Sequence, residues 1–515
     1  MNTARPNTVP PSAPTAGDPP DRRDAGAVIL GLMIVLGLGA IDQSIVATAL
    51  PRIVSDLGGL THLSWVVSAY VLASTSTMPL YGKLSDQYGR KPMIYAAILI
   101  FLLGSVLSGM AQTLLQLIIF RAIQGIGAGG LMPLAQIIIG DIVPPAKRGR
   151  NQGSIAAVFA ICSVIGPIAG GVITDLLSWH WIFYINLPIG AVALVMIGRA
   201  LKRPHHSHSR RIDYLGAALL TSCTTSFLLV LALGGNEWAW DSPEIICLSA
   251  LALVLFVLFI LHIRRDSEPV LPPDLFRNRL FVVACIVLAL TFMGASLFLP
   301  LFFQMVMGVR ASPSGLLTGP LMIGVVISSM VNGRVLLHRF GRYKPAQLCG
   351  LSLATVAFAV LAWAAATSQG FWIIEPSVFA LGLGLGLVMP TMTIAVQNAL
   401  PLAHRGVGTA TLAFFRSLGG LIGVTGSGAI LAYHVQNAGG VLDGVHVSSL
   451  TEAGMKQLAT TSPEAHAAAI ALYRHAIAMT FATGTAIVAL ALIALLFLPE
   501  LPLATDHGQE TKRPG

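Results

Sequence analysis

Long stretches with hardly a charged residue recur along this chain. Apolar runs of about 20 residues, enough for a helix to cross the hydrocarbon of a bilayer, begin near Ala27, His62, Met93, Leu114, Ser154, Trp181, Tyr214, Ile245, Leu280, Leu316, Ala346, Phe371, Val407 and His475. The pattern therefore predicts about fourteen transmembrane helices in an all-α polytopic membrane protein. An even number of spans puts both termini on one side. Residues 1–25, rich in Pro, Ala and Thr, read as a disordered tail, and 501–515 form a second tail on the same face.

The positions of landmark residues repeat. Gly125-x-Gly127-x-Gly129-x-Leu131-Met132-Pro133 in the fourth span is matched by Gly382-x-Gly384-x-Gly386-x-Val388-Met389-Pro390 in the twelfth, 257 residues later. Gly153 to Phe159 is likewise matched by Gly408 to Phe414, and Leu50-Pro51 by Leu299-Pro300. Spans 1–6 thus correspond to spans 9–14, an arrangement in which two bundles are related by an axis along the membrane normal and can rock about a central cavity. The organisation expected is a six-helix bundle over 26–203, a linker with two inserted helices over 204–265, and a second bundle over 266–500 that contains an external loop at 434–470.

Composition agrees: 55% of the 515 residues are hydrophobic and 10% charged, against about a quarter charged in soluble domains. The net charge of +9 does not imply nucleic acid, because the cations are sorted by side. Of the 31 Lys and Arg residues, 25 fall in the tails and loops on the terminal side and four (Arg52, Arg310, Lys456, Arg474) on the other. The positive-inside rule makes the terminal side cytosolic and the expected location the cytoplasmic membrane. Cys162, Cys223, Cys247, Cys285 and Cys349 all sit in apolar runs without metal-site spacing, so neither a disulfide framework, a metal nor a cofactor is expected. His205, His206 and His208 read as a solvated linker, and Glu375 as a hydrated helix end. No soluble segment is large enough for a catalytic domain, and no Walker-type phosphate loop occurs.

Charges inside a span are functional candidates because burying one in hydrocarbon costs several kcal/mol. Three stand well inside: Asp42, Arg121 and Arg416. Asp42 lies roughly 22 Å above the start of its helix at 1.5 Å per residue, and Arg121 falls at a similar depth. The matching positions of the second repeat are Thr291 and Val378. Proton handling is therefore expected in the first half, with Asp42 protonatable and Arg121 its neighbour; a static pair that only aids packing is the alternative. Arg416 could face an anionic substrate or pair with a backbone carbonyl. Gln43, Gln124, Phe292, Phe298 and Arg416 are candidates for a substrate cavity, and Phe302, Phe303, Met305 and Met307 are adaptable bulk that could line it or face lipid.

Gly82-Lys83-Leu84-Ser85-Asp86-Gln87-Tyr88-Gly89-Arg90-Lys91 follows the second span. Its glycines permit a tight turn, and Asp86 can accept from a helix N-terminus or a cation. The run resembles the signature loop of the major facilitator superfamily, with a weaker copy from Gly333-Arg334 to Gly341-Arg342. The resemblance implies the major facilitator fold and a cytosolic latch built from Gly82, Asp86, Gly89 and Arg90. Leu117-x-x-x-Arg121-x-x-Gln124-Gly125 resembles the family's fourth-helix motif, in which the arginine is linked to proton transfer. Gly153 with Gly166-Pro167-x-x-Gly170-Gly171 resembles its antiporter motif, although Cys162 stands where that pattern has glycine. Asp42 to Pro51 and Trp179 to Gly190 look like the fourteen-helix drug:proton antiporter branch. The function this implies is proton-coupled export of drugs or other small amphipathic compounds, with the bilayer, protons and a small organic substrate as partners. It specifies no envelope accessory protein. A metabolite symporter or uniporter on the same scaffold is the first alternative, and a membrane-embedded sensor or transferase the second.

Overall fold

The computed structural model describes residues 22–58, 64–201, 213–235, 237–295, 299–309, 317–333, 341–436 and 463–502. His205, His206, His208, Phe298, Arg310 and Arg334 lie outside them. The described chain is helical: α1 (Arg22–Leu57), α2 (Ser64–Tyr88), α3 (Arg90–Gly109), α4 (Leu114–Ile142), α5 (Pro145–Leu176), α6 (Trp181–Tyr184), α7 (Asn186–Ala200), α8 (Tyr214–Leu233), α9 (Pro243–Ile263), α10 (Asp274–Arg277), α11 (Arg279–Gly294), α12 (Leu299–Met305), α13 (Gly319–Val331), α14 (Lys344–Ala366), α15 (Phe371–Ala399), α16 (Arg405–Gln436) and α17 (Pro463–Leu496). Helices satisfy their backbone groups internally except in the end turns, which is what hydrocarbon demands.

Among the described residues, twelve helical segments are long and apolar enough to cross a membrane. The shorter apolar helix α13 and the 25-residue α2 bring the total to the fourteen the sequence predicts. α2 is polar because of Ser74, Ser76 and Thr77, whose hydroxyls donate to the Val71, Leu72 and Ala73 carbonyls of their own helix at 3.0, 2.8 and 2.9 Å. Donors returned to the backbone in this way let a polar stretch sit in a bundle.

Several boundaries differ from the sequence reading. The first helix begins at Arg22, inside the expected tail. α16 runs to Gln436 and α17 starts at Pro463, so both ends of the expected 434–470 loop are helical. The sixth span is broken between α6 and α7 at Ile185. Pro188 has no N–H to give to the carbonyl four residues earlier, which loosens that turn and sets Asn186 at the head of α7. In the ninth span the described helices are α11 and α12, with residues 296–298 outside the description.

Within the first bundle α4 packs on α2 and α3, and α1 on α5 and α7; in the second, α15 packs on α13 and α14, and α11 on α16 and α17. The glycine triplets explain why these packings repeat. A Cβ at Gly127 would stand 2.7 Å from Phe101 Cα, and one at Gly129 3.2 Å from the Ser74 carbonyl carbon. In the second bundle one at Gly384 would stand 2.6 Å from the Gly350 carbonyl and one at Gly386 2.8 Å from Val325 Cα. Small residues at matching places bring backbone against backbone, the main source of helix affinity in lipid. Apolar cores form separately in the two bundles. The inserted pair α8 and α9 pack on each other, and α8 rests on both α2 and α16, at the seam between bundles.

Candidate functional site

Asp42, midway along α1, is fully buried, as are Arg121 and Gln124 on α4 and Asn186 at the head of α7. Arg121 Nη1 donates to Asp42 Oδ2 at 2.7 Å and to Gln124 Oε1 at 2.8 Å. Gln124 Nε2 and Asn186 Nδ2 donate to Asp42 Oδ1 at 2.8 and 2.9 Å. Arg121 Nε reaches the Val66 carbonyl at 3.3 Å, and its guanidinium lies 4.1 Å from the centre of the Tyr70 ring. Gln43, next to Asp42 along α1, is exposed. An ion pair out of water is tolerable only when its remaining donors and acceptors are met, and here two amide side chains, a backbone carbonyl and an aromatic face meet them. Arg121 and Gln124 fall three residues apart, on one face of α4.

A second cluster lies where the chain's two described ends also lie. Asp86, near the end of α2, accepts from the backbone N–H of Gly406 at 3.1 Å and of Val407 at 2.8 Å, in the first turn of α16. A carboxylate there meets unpaired N–H groups and the positive end of the helix dipole. Arg90 Nη1 donates to Asp86 Oδ1 at 2.6 Å and to Ser85 Oγ at 2.7 Å, while its Nε donates to Asp141 Oδ2 at 2.8 Å. Asp141 stands 3.8 Å from Arg405. Gly89 turns the chain from α2 into α3 with φ 94°, a conformation that suits glycine. Gly82 lets α2 touch α16: a Cβ there would stand 2.5 Å from Ala410 Cβ and 2.8 Å from the Gly406 carbonyl. Thus Asp86 ties the bundles together, and Arg90 holds Asp86.

Other links across the seam lie between this face and mid-depth. Gln397 Nε2 donates to the Gln136 carbonyl at 3.1 Å, and the Thr75 and Ser417 hydroxyls are 2.8 Å apart. A Cβ at Gly153 would stand 3.0 Å from the Met330 side chain. At the opposite face a cavity of about 1090 Å³ opens between α2, α8 and α16, lined by Trp65, Ser68, Glu237, Trp240, Thr425 and Tyr433 among others. Contact on one side and a cavity on the other describe two bundles closed at the terminal face.

The remaining candidates fall unevenly. Gly166 and Gly170 admit α1: a Cβ at Gly166 would stand 2.7 Å from Ser44 Cβ, and one at Gly170 2.9 Å from the Ile45 carbonyl. α5 runs unbroken through Pro167, and Gly171 faces open space. Arg416 meets no backbone carbonyl among the described residues; its Nη2 lies 2.9 Å from Met132 Sδ, and its guanidinium 5.6 Å from the Phe292 ring. Neither Gln43, Gln124, Phe292 nor Arg416 lines the cavity at the opposite face. Phe302 and Phe303 are buried in the second core, not on a cavity wall. Both carboxylate oxygens of Glu375 are shut from solvent without a hydrogen-bond partner among the described residues, which corrects the expectation of a hydrated group. Sequence reasoning missed Asn186, Tyr70, Ser105 and Asp141; an Asn inside the apolar run Trp181–Ile189 was the available signal for the first.

Two helical bundles joined at one face, with a buried ion-pair network in one of them, form an architecture suited to a membrane transporter. The family model of the Major Facilitator Superfamily matches residues 32–424, and the chain belongs to that family. It is similar to the multidrug transporter protein MdtP of Bacillus subtilis (strain 168), 40% identical over 408 residues covering 78% of this chain and 75% of that one. It is also similar to the efflux pump roqT of Penicillium rubens, 32% identical over 514 residues, 96% and 95% of the two chains. Among solved structures, its fold resembles the human organic anion transporter MFSD10 (TM-score 0.61, 17% identity, 93% of this chain and 100% of that one). It also resembles the proton:xylose symporter XylE (TM-score 0.62, 13% identity, 93% and 96%).

Proposed function

We propose that this chain is a proton-coupled antiporter of the cytoplasmic membrane that exports drugs or other small amphipathic organic compounds by alternating access. The sorting of 25 of the 31 Lys and Arg residues to the terminal side supports cytosolic termini. On that orientation the Asp86 contacts lie at the cytosolic face, which supports reading this conformation as one open outward. Similarity to proteins named multidrug transporter and efflux pump supports export and a broad substrate class.

The observation that carries the coupling is the buried carboxylate of Asp42 on α1, held by Arg121, Gln124 and Asn186. A carboxylate in the core of a bundle changes its charge when it takes a proton, and that change alters which arrangement of its neighbours is stable. Each proton entering down 100 mV supplies about 2.3 kcal/mol, which sustains roughly a fiftyfold gradient of a substrate exchanged one for one. Everted vesicles loaded with a pH dye test the reading: drug addition releases protons with the wild type and not with Asp42→Asn. Coupling intact in Asp42→Asn removes Asp42 from the mechanism, and drug movement along with protons in place of against them makes the chain a symporter.

A further inference from the structure

Asn186 is the member of the network whose bonding is incomplete. Its Nδ2 donates twice, to Asp42 Oδ1 at 2.9 Å and to Ser105 Oγ at 2.9 Å, while its Oδ1, shut from solvent, has no partner among the described residues. Ser105 in turn donates to the Phe183 carbonyl at 2.8 Å. Gln124 presents the same amide chemistry under a different constraint, because its Oε1 accepts from Arg121 Nη1 at 2.8 Å. Turning over the Gln124 amide would set N–H against guanidinium. Turning over that of Asn186 breaks no bond to its oxygen, since none exists among the described residues.

Among the described residues, only donors face the Asp42 oxygens: Arg121, Gln124 and Asn186. That set suits an anion. A protonated Asp42 carries an O–H that needs an acceptor, and the idle oxygen in reach belongs to Asn186. We propose that Asn186 is a positioning residue whose amide reverses when Asp42 takes up a proton. It donates to the carboxylate, then accepts from the carboxylic acid. In the reversed state Ser105 swings its hydroxyl from the Phe183 carbonyl to Asn186 Oδ1, so the change passes to α3 and to the α6–α7 break. No covalent bond is made or broken beyond the O–H formed on Asp42 by the arriving proton.

The other groups around Asp42 keep one role each. Arg121 and Tyr70, from α4 and α2, are the titratable groups beside it. The spanning part of α5 carries no charged residue from Gly153 to Thr174, and the charged residues of α3 and α7 (Arg90, Lys91 and Arg199) lie at their far ends. Asn186 is thus the amide free to follow the proton.

This inference rests on Asp42 being the proton site of the proposed antiporter, yet its test needs no transport. Infrared titration of the full chain in lipid nanodiscs reads the acid carbonyl band of Asp42, assigned by its loss in Asp42→Asn. Isotope-labelled asparagine, with Asn186→Leu as control, reads the amide. The Asn186 band is expected to change at the same midpoint as Asp42 and to stay unchanged with pH in Asp42→Asn. Asn186→Leu, which removes a partner from both protonation states, is expected to move the Asp42 midpoint by less than about 0.3 pH unit. Gln124→Leu, which removes a donor from the anion alone, is expected to raise it by about one unit, a tenfold change in proton affinity. An amide band indifferent to Asp42, equal shifts in the two leucine variants, or an Asp42 band that does not titrate would each overturn the proposal. Should a leucine variant fail to fold, the labelled wild-type protein decides alone. Amide reversal without drug-linked proton release would sink the antiport reading and leave this one standing.

Discussion

Helix α4 of the first bundle and α15 of the second carry the same glycine triplet, and both use it to lay backbone on backbone against two neighbours. At the positions matching Asp42 and Arg121, however, the second bundle has Thr291 and Val378, both fully buried. Thr291 returns its hydroxyl to the Val287 carbonyl of its own helix at 2.6 Å, needing nothing from its surroundings. The first bundle fills the same space with a carboxylate, a guanidinium and two amides. Packing can be duplicated because small residues serve it wherever they recur. A buried charge cannot be duplicated as freely, since each one requires its own partners. The pair of bundles therefore shares a skeleton while the ionisable network lives in one.

That asymmetry can be broken most severely at Arg121. Arg121→Leu leaves Asp42 buried without its counter-charge, and stability is expected to fall by about 3–5 kcal/mol. Thermal unfolding in detergent checks this, and an Arg121→Leu protein that regains its stability when Asp42→Leu is added would confirm the cause. In the second bundle, Val378→Ala at the matching position removes only packing, with an expected loss of about 1–2 kcal/mol and unchanged drug-linked proton release. A change in coupling there would show that the proton path crosses both bundles. Asp86→Asn keeps an acceptor but removes the charge from the first turn of α16, weakening the closed terminal face by about 1 kcal/mol. Cysteine labelling of an Ala410→Cys protein should accordingly proceed about fivefold faster after Asp86→Asn. The mildest change is Glu375→Gln on α15. Its carboxylate has no partner among the described residues to lose, so the melting temperature is expected to hold or rise by the equivalent of less than about 1 kcal/mol; a clear fall would mean that the carboxylate makes contacts in another conformation.

Much of the scaffold was legible because its signals are local. Fourteen spans follow from apolar length, the two-bundle repeat from landmarks that recur in order, and Asp42 and Arg121 from the rarity of charge in hydrocarbon. The signature loop pointed to Asp86 and Arg90 through its resemblance to the major facilitator motif. Asn186 and Ser105 escaped because neutral polar residues are common in membrane helices, and only a neighbour's oxygen gives them a role. Asp141 escaped because it sits among loop charges that a count by side treats as solvated. Arg416 carried an obvious charge, yet its surroundings proved to be a thioether and a phenyl ring, which no spacing along α16 foretells.

Taken alone, the amino-acid order determined where the chain crosses the bilayer, how its halves repeat, and which few charges lie in hydrocarbon, because length, periodicity and transfer cost belong to each segment by itself. Tertiary structure decided which partners those charges have and which face of the seam is shut. Asp42 lies 79 residues from Arg121 and 144 from Asn186 along the chain, and Asp86 lies 321 from Val407. Hydrogen bonds of under 3 Å between such distant residues are set by how helices pack, a property of the whole bundle that no single segment contains.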